Sequence, residues 1–116
     1  MNRDECIFCR IADGDLPATI VHEDEHAVAF RDLDPKAPTH LLVVPRRHIG
    51  SAADLGPADA DLAGHLLVVA AEVARSEGVD SSGYRLVTNI GSDGGQSVPH
   101  LHVHLLGGRS MTWPPG

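Results

Sequence analysis

The 116-residue chain has no long apolar run. Its longest plainly apolar stretch in a helical context, Leu66 to Ala71, falls far short of the ~20 residues that a membrane span requires. Excess positive charge is lacking too. Nine Lys and Arg stand against sixteen Asp and Glu, a net charge of −7, which argues against non-specific binding to nucleic acid. A nucleotide's phosphate can still be held by local donors. The N-terminal Met1-Asn2-Arg3-Asp4-Glu5 is followed by no apolar segment and does not read as a signal peptide. Repeats, low-complexity tracts and linkers are absent. What remains is the composition of one globular domain, residues 1–116, 42% hydrophobic and long enough for a modest core. A soluble cytoplasmic protein is expected, with no membrane and no nucleic acid as partner.

The most informative stretch lies near the end: His100-Leu101-His102-Val103-His104-Leu105-Leu106. Strict alternation predicts a β-strand, with Leu101, Val103 and Leu105 turned to a core and the three imidazoles on the other face. A helix would scatter them. Such a row can be a solvated strand face, a metal centre or a nucleophilic imidazole with two helpers. Upstream, Asn89-Ile90-Gly91-Ser92-Asp93-Gly94-Gly95-Gln96-Ser97-Val98-Pro99 offers a tight glycine turn, whose backbone N–H groups make an anion nest, and Gln96 and Ser97 as neutral donors. A hairpin connection would need no such donors. Feeding straight into the imidazoles, this loop points to a phosphate held beside a histidine.

Cysteine is scarce. Cys6 and Cys9, three apart, suggest metal or redox chemistry more than a structural disulfide. A redox motif wants a strand before it, for which there is no room. Zinc needs two more ligands, and His48 and His100 are on offer. Two buried thiols with no ligand role are the plainer alternative.

Between these landmarks, a short helical turn is expected over Ile11 to Pro17, ending around Gly14. Strands are expected over Ile20–Glu23 and Ala27–Arg31, around the turn Asp24-Glu25. His22 and His26 read as solvated surface residues. Asp32 and Asp34 suit a turn. Leu41 to Val44, between Pro38 and Pro45, reads as a strand covered on both faces, with His40 just before it. Gly56-Pro57 opens the one long helix, which buries Leu62, Leu66, Val69 and Val73 and stops at Gly78. His65 sits off that stripe with no evident role. Tyr84 to Thr88 alternates as a strand. The tail, Thr112-Trp113-Pro114-Pro115-Gly116, cannot continue either element, and its lone Trp suggests contact with something.

The motif His100 to Leu106 resembles the signature of the histidine triad superfamily. With Asp93 to Ser97 and the ending Gly107 to Gly116 it is similar to the Hint branch, the purine nucleoside phosphoramidases. The likeness extends through Ala37 to Pro45 and Ile7-Phe8. It implies an α+β domain with an antiparallel sheet of about five strands, one long helix and a short N-terminal helix, paired as a homodimer. It also implies hydrolysis of a nucleoside 5′-phosphoramidate or related adenylyl compound through a covalent nucleotidyl-histidine intermediate.

Carried over residue by residue, the resemblance makes His102 the nucleophile, with His104 and His40 positioning or protonating. Ser97, the Gly95 amide and Asn89 would hold phosphate oxygens and the leaving group, with Gln96 in the same loop. Asp32 would accept hydrogen bonds from the ribose, and Phe8, Ile11, Phe30, Leu33 and Leu42 would form an apolar pocket for a purine. Trp113 would reach the active site of the other subunit. Some superfamily members bind zinc through residues matching Cys6, Cys9, His48 and His100, which implies structural Zn2+. Animal Hint proteins lack the cysteines, and here Ile90 and Pro99 replace a usual glutamate and tyrosine. Two rival readings are a zinc hydrolase with metal on the triad and a nucleotide-binding adaptor with little turnover.

Overall fold

A computed structural model of the chain describes residues 2–116. Met1, the first residue of the N-terminal stretch, lies outside them. After a 3-10 turn at Arg3–Glu5, helix α1 spans Ile7–Ala12 and strands β1, β2 and β3 span Ile20–Glu23, Ala27–Arg31 and Thr39–Pro45. Helix α2 runs Ala60–Glu77, and strands β4 and β5 are Tyr84–Val87 and Val103–Gly107. The five strands form one antiparallel sheet in the order β1-β2-β3-β5-β4.

Both faces of the sheet are covered, which is why β3 reads as a continuous apolar run. Leu41 and Val43 join Ala27, Ala29, Val103 and Leu105 in a core beneath α2. Leu42 and Val44 join Val28, Phe30, Cys6, Phe8 and Cys9 in a smaller core beneath α1. The expected stripe of α2 packs on the first core: Leu66, Val69 and Val73 are buried, Leu62 is partly buried, and Ala70 and Ala74 fill the gaps. Each fully buried Leu or Val there contributes about 1.5–3 kcal/mol. Gly78 closes the helix with φ +76°, a left-handed cap that glycine adopts without strain.

Two expected boundaries move. The N-terminal helix begins at Ile7 and ends at Ala12, before the predicted Ile11–Pro17 turn has properly started. Its start is fixed by Cys6, whose Sγ accepts the Cys9 N–H at 3.4 Å and caps the first turn. The histidine-bearing strand begins at Val103 rather than His100. The His100 N–H donates to Val98 O and the Leu101 N–H to Ile49 O, so residues 100–102 bond outside the sheet. The alternation survives this: Leu101, Val103 and Leu105 all enter the core under α2. The imidazoles are thereby left on the α1 side. Among the described residues no helix is long and apolar enough to cross a membrane.

Candidate functional site

The first triad histidine belongs to a closed cluster. Cys6 caps α1, Cys9 follows one turn later, and His48 comes just after β3; all three converge with His100. His100 Nδ1 lies 3.3 Å from Cys6 Sγ, 3.5 Å from Cys9 Sγ and 3.2 Å from His48 Nδ1, and Cys9 Sγ lies 3.3 Å from His48 Nδ1. A tetrahedral ion with metal–sulfur bonds of about 2.3 Å and metal–nitrogen bonds of about 2.0–2.1 Å implies edges of roughly 3.3–3.6 Å between such donors. The observed separations match those edges. The His100 Nε2–H donates to Pro45 O at 2.9 Å, which fixes the tautomer and turns the Nδ1 lone pair into the cluster. Burial, together with the nearby His48, lowers His100 to about 4, against a partial rise from the Pro45 bond. The ring is therefore neutral, as a ligand must be. Burial and the adjacent Cys6 push the Cys9 thiol up to about 11, so a thiolate here depends on a cation beside it. The donor set suits a soft tetrahedral cation.

The second triad histidine is oriented by the first. The His102 Nδ1–H donates to the His100 carbonyl at 2.7 Å. That leaves its Nε2 lone pair without a protein partner among the described residues. Phe8 packs edge-on against the ring, with centroids 5.1 Å apart. Thr88, just past β4, holds the chain here by donating its hydroxyl to His102 O at 2.8 Å.

The third histidine ends a relay. The Lys36 amide N–H donates to His40 Nδ1 at 3.0 Å, so the neutral His40 ring carries its proton on Nε2. That Nε2–H donates to His104 Nδ1 at 2.9 Å, with Asp32 Oδ2 also 3.4 Å away. His104 is therefore left with a proton on Nε2, aimed out of the relay. Burial lowers both rings, His104 to about 4 with help from His102 and His40. Asp32, His40 and His104 also lie close enough to share an ion. Their 2.9 Å nitrogen–nitrogen contact is a hydrogen-bond length, shorter than the edge a tetrahedral ion imposes.

His102 and His104 open onto a cavity of about 250 Å³. Its walls include all five residues expected to meet a base, Phe8, Ile11, Phe30, Leu33 and Leu42, with Asp32 and Ser97 at the edges. Leu33 stands at the rim, 93% exposed. The loop departs from expectation in detail. The Gly95 N–H donates to Ser92 O, so this amide closes a turn and is not free for phosphate. Gln96 is a clamp and not a free donor: its amide nitrogen donates to Gly50 O and Val98 O, and its oxygen accepts the Gly91 N–H. Asn89 spends one amide hydrogen on Gly94 O at 2.7 Å. Ser97 is the uncommitted donor, its hydroxyl and amide unbonded among the described residues. Trp113 is 83% exposed and lines neither this cavity nor the metal cluster within its own chain.

Sequence reading missed a third polar group on the far side of the molecule. Asp24 Oδ2 lies 2.7 Å from His22 Nε2 and 2.8 Å from His65 Nε2. Burial works to raise the Asp24 carboxyl, but these bonds and the His26 and Ala27 amides outweigh it and hold it well below the usual range. Nothing in the sequence pairs residues 24 and 65, one in a turn and the other on a helix.

Residues 13–111 match the HIT domain family. A 14 kDa zinc-binding protein of Zea mays is 49% identical over 112 residues, covering 95% of this chain and 87% of that protein. An uncharacterized HIT-like protein of Synechococcus elongatus is 47% identical over 113 residues, covering 97% and 98% of the two chains. The solved structure of a HIT family hydrolase from Legionella pneumophila Philadelphia 1 superposes with a TM-score of 0.95 at 53% identity, covering 97% of this chain and 100% of that one. A histidine triad protein from Clostridium difficile gives 0.92 at 46% identity, with 97% of each chain covered.

Proposed function

This chain belongs to the HIT domain family, and on that premise we propose that it hydrolyses nucleoside 5′-phosphoramidates or related adenylyl compounds through a nucleotidyl-histidine intermediate. The observation that carries this reading is the 2.7 Å bond from His102 Nδ1–H to the His100 carbonyl. An imidazole whose one nitrogen keeps its proton on a fixed acceptor is nucleophilic at the other. A purine nucleoside fits the apolar cavity, with its ribose hydroxyls toward Asp32 and its phosphate against Ser97 and His102.

His102 Nε2 attacks the α-phosphorus, forming a phosphorus–nitrogen bond. The bond to the leaving amine breaks, and its electron pair stays on the amine nitrogen. In the free protein His104 is neutral, and a phosphate brought against it favours the imidazolium. The proton taken up on binding passes from His104 Nε2 to the departing amine. Water then attacks phosphorus, breaks the bond to His102 and returns a proton to His104, releasing the nucleoside monophosphate. A neighbour named as a HIT family hydrolase supports this class of reaction.

Structural zinc is part of the reading, held by Cys6, Cys9, His48 and His100. Supporting it are the tetrahedral spacing of the donors and the Zea mays relative named as zinc-binding. Four protein ligands leave no open position for substrate, so zinc here ties α1 to the triad and does no chemistry. Two free buried thiols also suit a reducing compartment such as the cytoplasm. The active unit is proposed to be a homodimer. Strand β4 is a bare sheet edge, and Leu67 and Val68 lie exposed on the outer face of α2. In that dimer, Trp113 would reach the partner's site.

Rapid-quench kinetics on an adenosine 5′-phosphoramidate test the reading. A burst of free amine ahead of the nucleotide is expected, because two bonds to phosphorus break in turn. Amine and nucleotide appearing together, without a burst at any temperature, would contradict a covalent step that outlives the first bond cleavage.

A further inference from the structure

His104 is a partition as well as a proton carrier. One side of it belongs to the apolar cavity that also holds His102. The other side lines a second hollow of about 300 Å³, shared with His40, Asn89, Arg85, Arg109 and Pro115. His102 is not part of that second hollow. A nucleoside in the apolar cavity thus places whatever its phosphorus carries on the opposite side of His104.

The two sides differ in charge. Asp32 stands at the edge of the apolar cavity, where it suits the neutral hydroxyls of a ribose and repels an anion. Arg85 and Arg109 stand on the other side. Most cations of this acidic chain are already paired: Arg3 with Asp13, Arg31 with Glu77, Lys36 with Asp34, Arg46 with Glu23 and Arg47 with Asp59. Arg85 and Arg109 have no carboxylate partner among the described residues. Arg85 donates from Nη2 to Thr112 O at 2.8 Å, and Arg109 donates from Nε to Lys36 O at 3.0 Å and from Nη1 to Ser110 O at 3.4 Å. Those carbonyls position the two guanidiniums without neutralising them. Each guanidinium has five N–H donors and can grip a carboxylate at two points.

We propose that this second hollow is a leaving-group subsite selective for amines that bear a carboxylate, so that nucleoside phosphoramidates of amino acids are the preferred substrates. It rests on the phosphoramidase reading above. In the transfer step the phosphorus–nitrogen bond breaks as before, and the amine departs with the proton from His104. The two guanidiniums hold the distal carboxylate throughout.

The test compares two adenosine 5′-phosphoramidates, one of 4-aminobutanoate and one of its carboxamide, on the full chain. The charge differs while the distant substituent leaves the amine's basicity nearly matched. The wild type is expected to favour the acid by about tenfold in kcat/KM, the scale of a hydrogen bond to a charged group. Salt should shrink that preference. Arg85→Gln and Arg109→Gln should each bring it toward unity, while Arg85→Lys and Arg109→Lys retain most of it. Equal hydrolysis of both compounds by the wild type would overturn the subsite and leave the phosphoramidase reading standing. Loss of rate on both compounds in proportion, with the ratio intact in both Gln variants, would make the arginines structural and also overturn it. Hydrolysis of neither compound would sink the phosphoramidase reading and the subsite with it.

Discussion

Two groups of imidazoles lie within five residues of one another, and opposite nitrogens are put to use. In His100, Nε2 is spent on the Pro45 carbonyl and Nδ1 faces two thiols and a second imidazole. In His102, Nδ1 is spent on the His100 carbonyl and Nε2 faces a cavity. The backbone acceptor decides which nitrogen is free, and so decides the chemistry. In the cluster, lone pairs converge on one point, as a cation requires. In the relay through His40 to His104, donors and acceptors alternate, as a proton requires. The groups are also joined, because His100 gives its side chain to the cluster and its carbonyl to His102.

The comparison breaks hardest at His102. His102→Ala should lower turnover on the order of 10⁶-fold, the scale of a lost nucleophile, while metal content stays unchanged. Steady-state rates with metal analysis on the same preparation check both halves. Ser97→Ala and His104→Asn each remove one donor and should cost 10²–10³-fold. A loss at either position equal to that at His102 would erase the distinction between attacking and assisting groups.

The other group should respond in stability. Cys9→Ser is expected to drop zinc from about one per chain to near none and to lower Tm by about 10 °C, from a few kcal/mol of linked binding. Unchanged thermal stability after stoichiometric metal loss would show that the cluster does not brace the fold.

A smaller effect should appear on acidification. Burial takes His104 from its ordinary 6.5 to about 4. Between those values the unfolded chain binds a proton that the folded chain refuses, so stability falls as pH drops through that window and levels off below it. His104→Asn should flatten this slope in denaturant titrations between pH 6.5 and 4. An identical slope in wild type and variant would place the burden on other groups.

Much of this was legible because period and punctuation are local signals. The alternation of Leu101, Val103 and Leu105 fixed a face, and Gly56-Pro57 and Gly78 bounded α2 within a few residues. The apolar cavity was reachable through the family resemblance, which supplied all five of its expected residues. The early helix was missed because six residues show under two turns of pattern, and its cap is a cysteine sulfur. Gly95 and Gln96 were assigned to phosphate by residue type, whereas their hydrogen-bonding capacity is spent inside the loop. The tautomer relay was out of reach, because it begins at a backbone amide, Lys36, that any residue but proline would supply.

The most direct measurement traps the intermediate. The wild-type chain is mixed briefly with an adenosine 5′-phosphoramidate, quenched under conditions that preserve phosphohistidine, digested and mapped by mass spectrometry. The adenylyl group is predicted on His102, at a level that rises and decays with turnover. An adduct on His104 or His40, or none at any time during active turnover, would contradict His102 as the nucleophile.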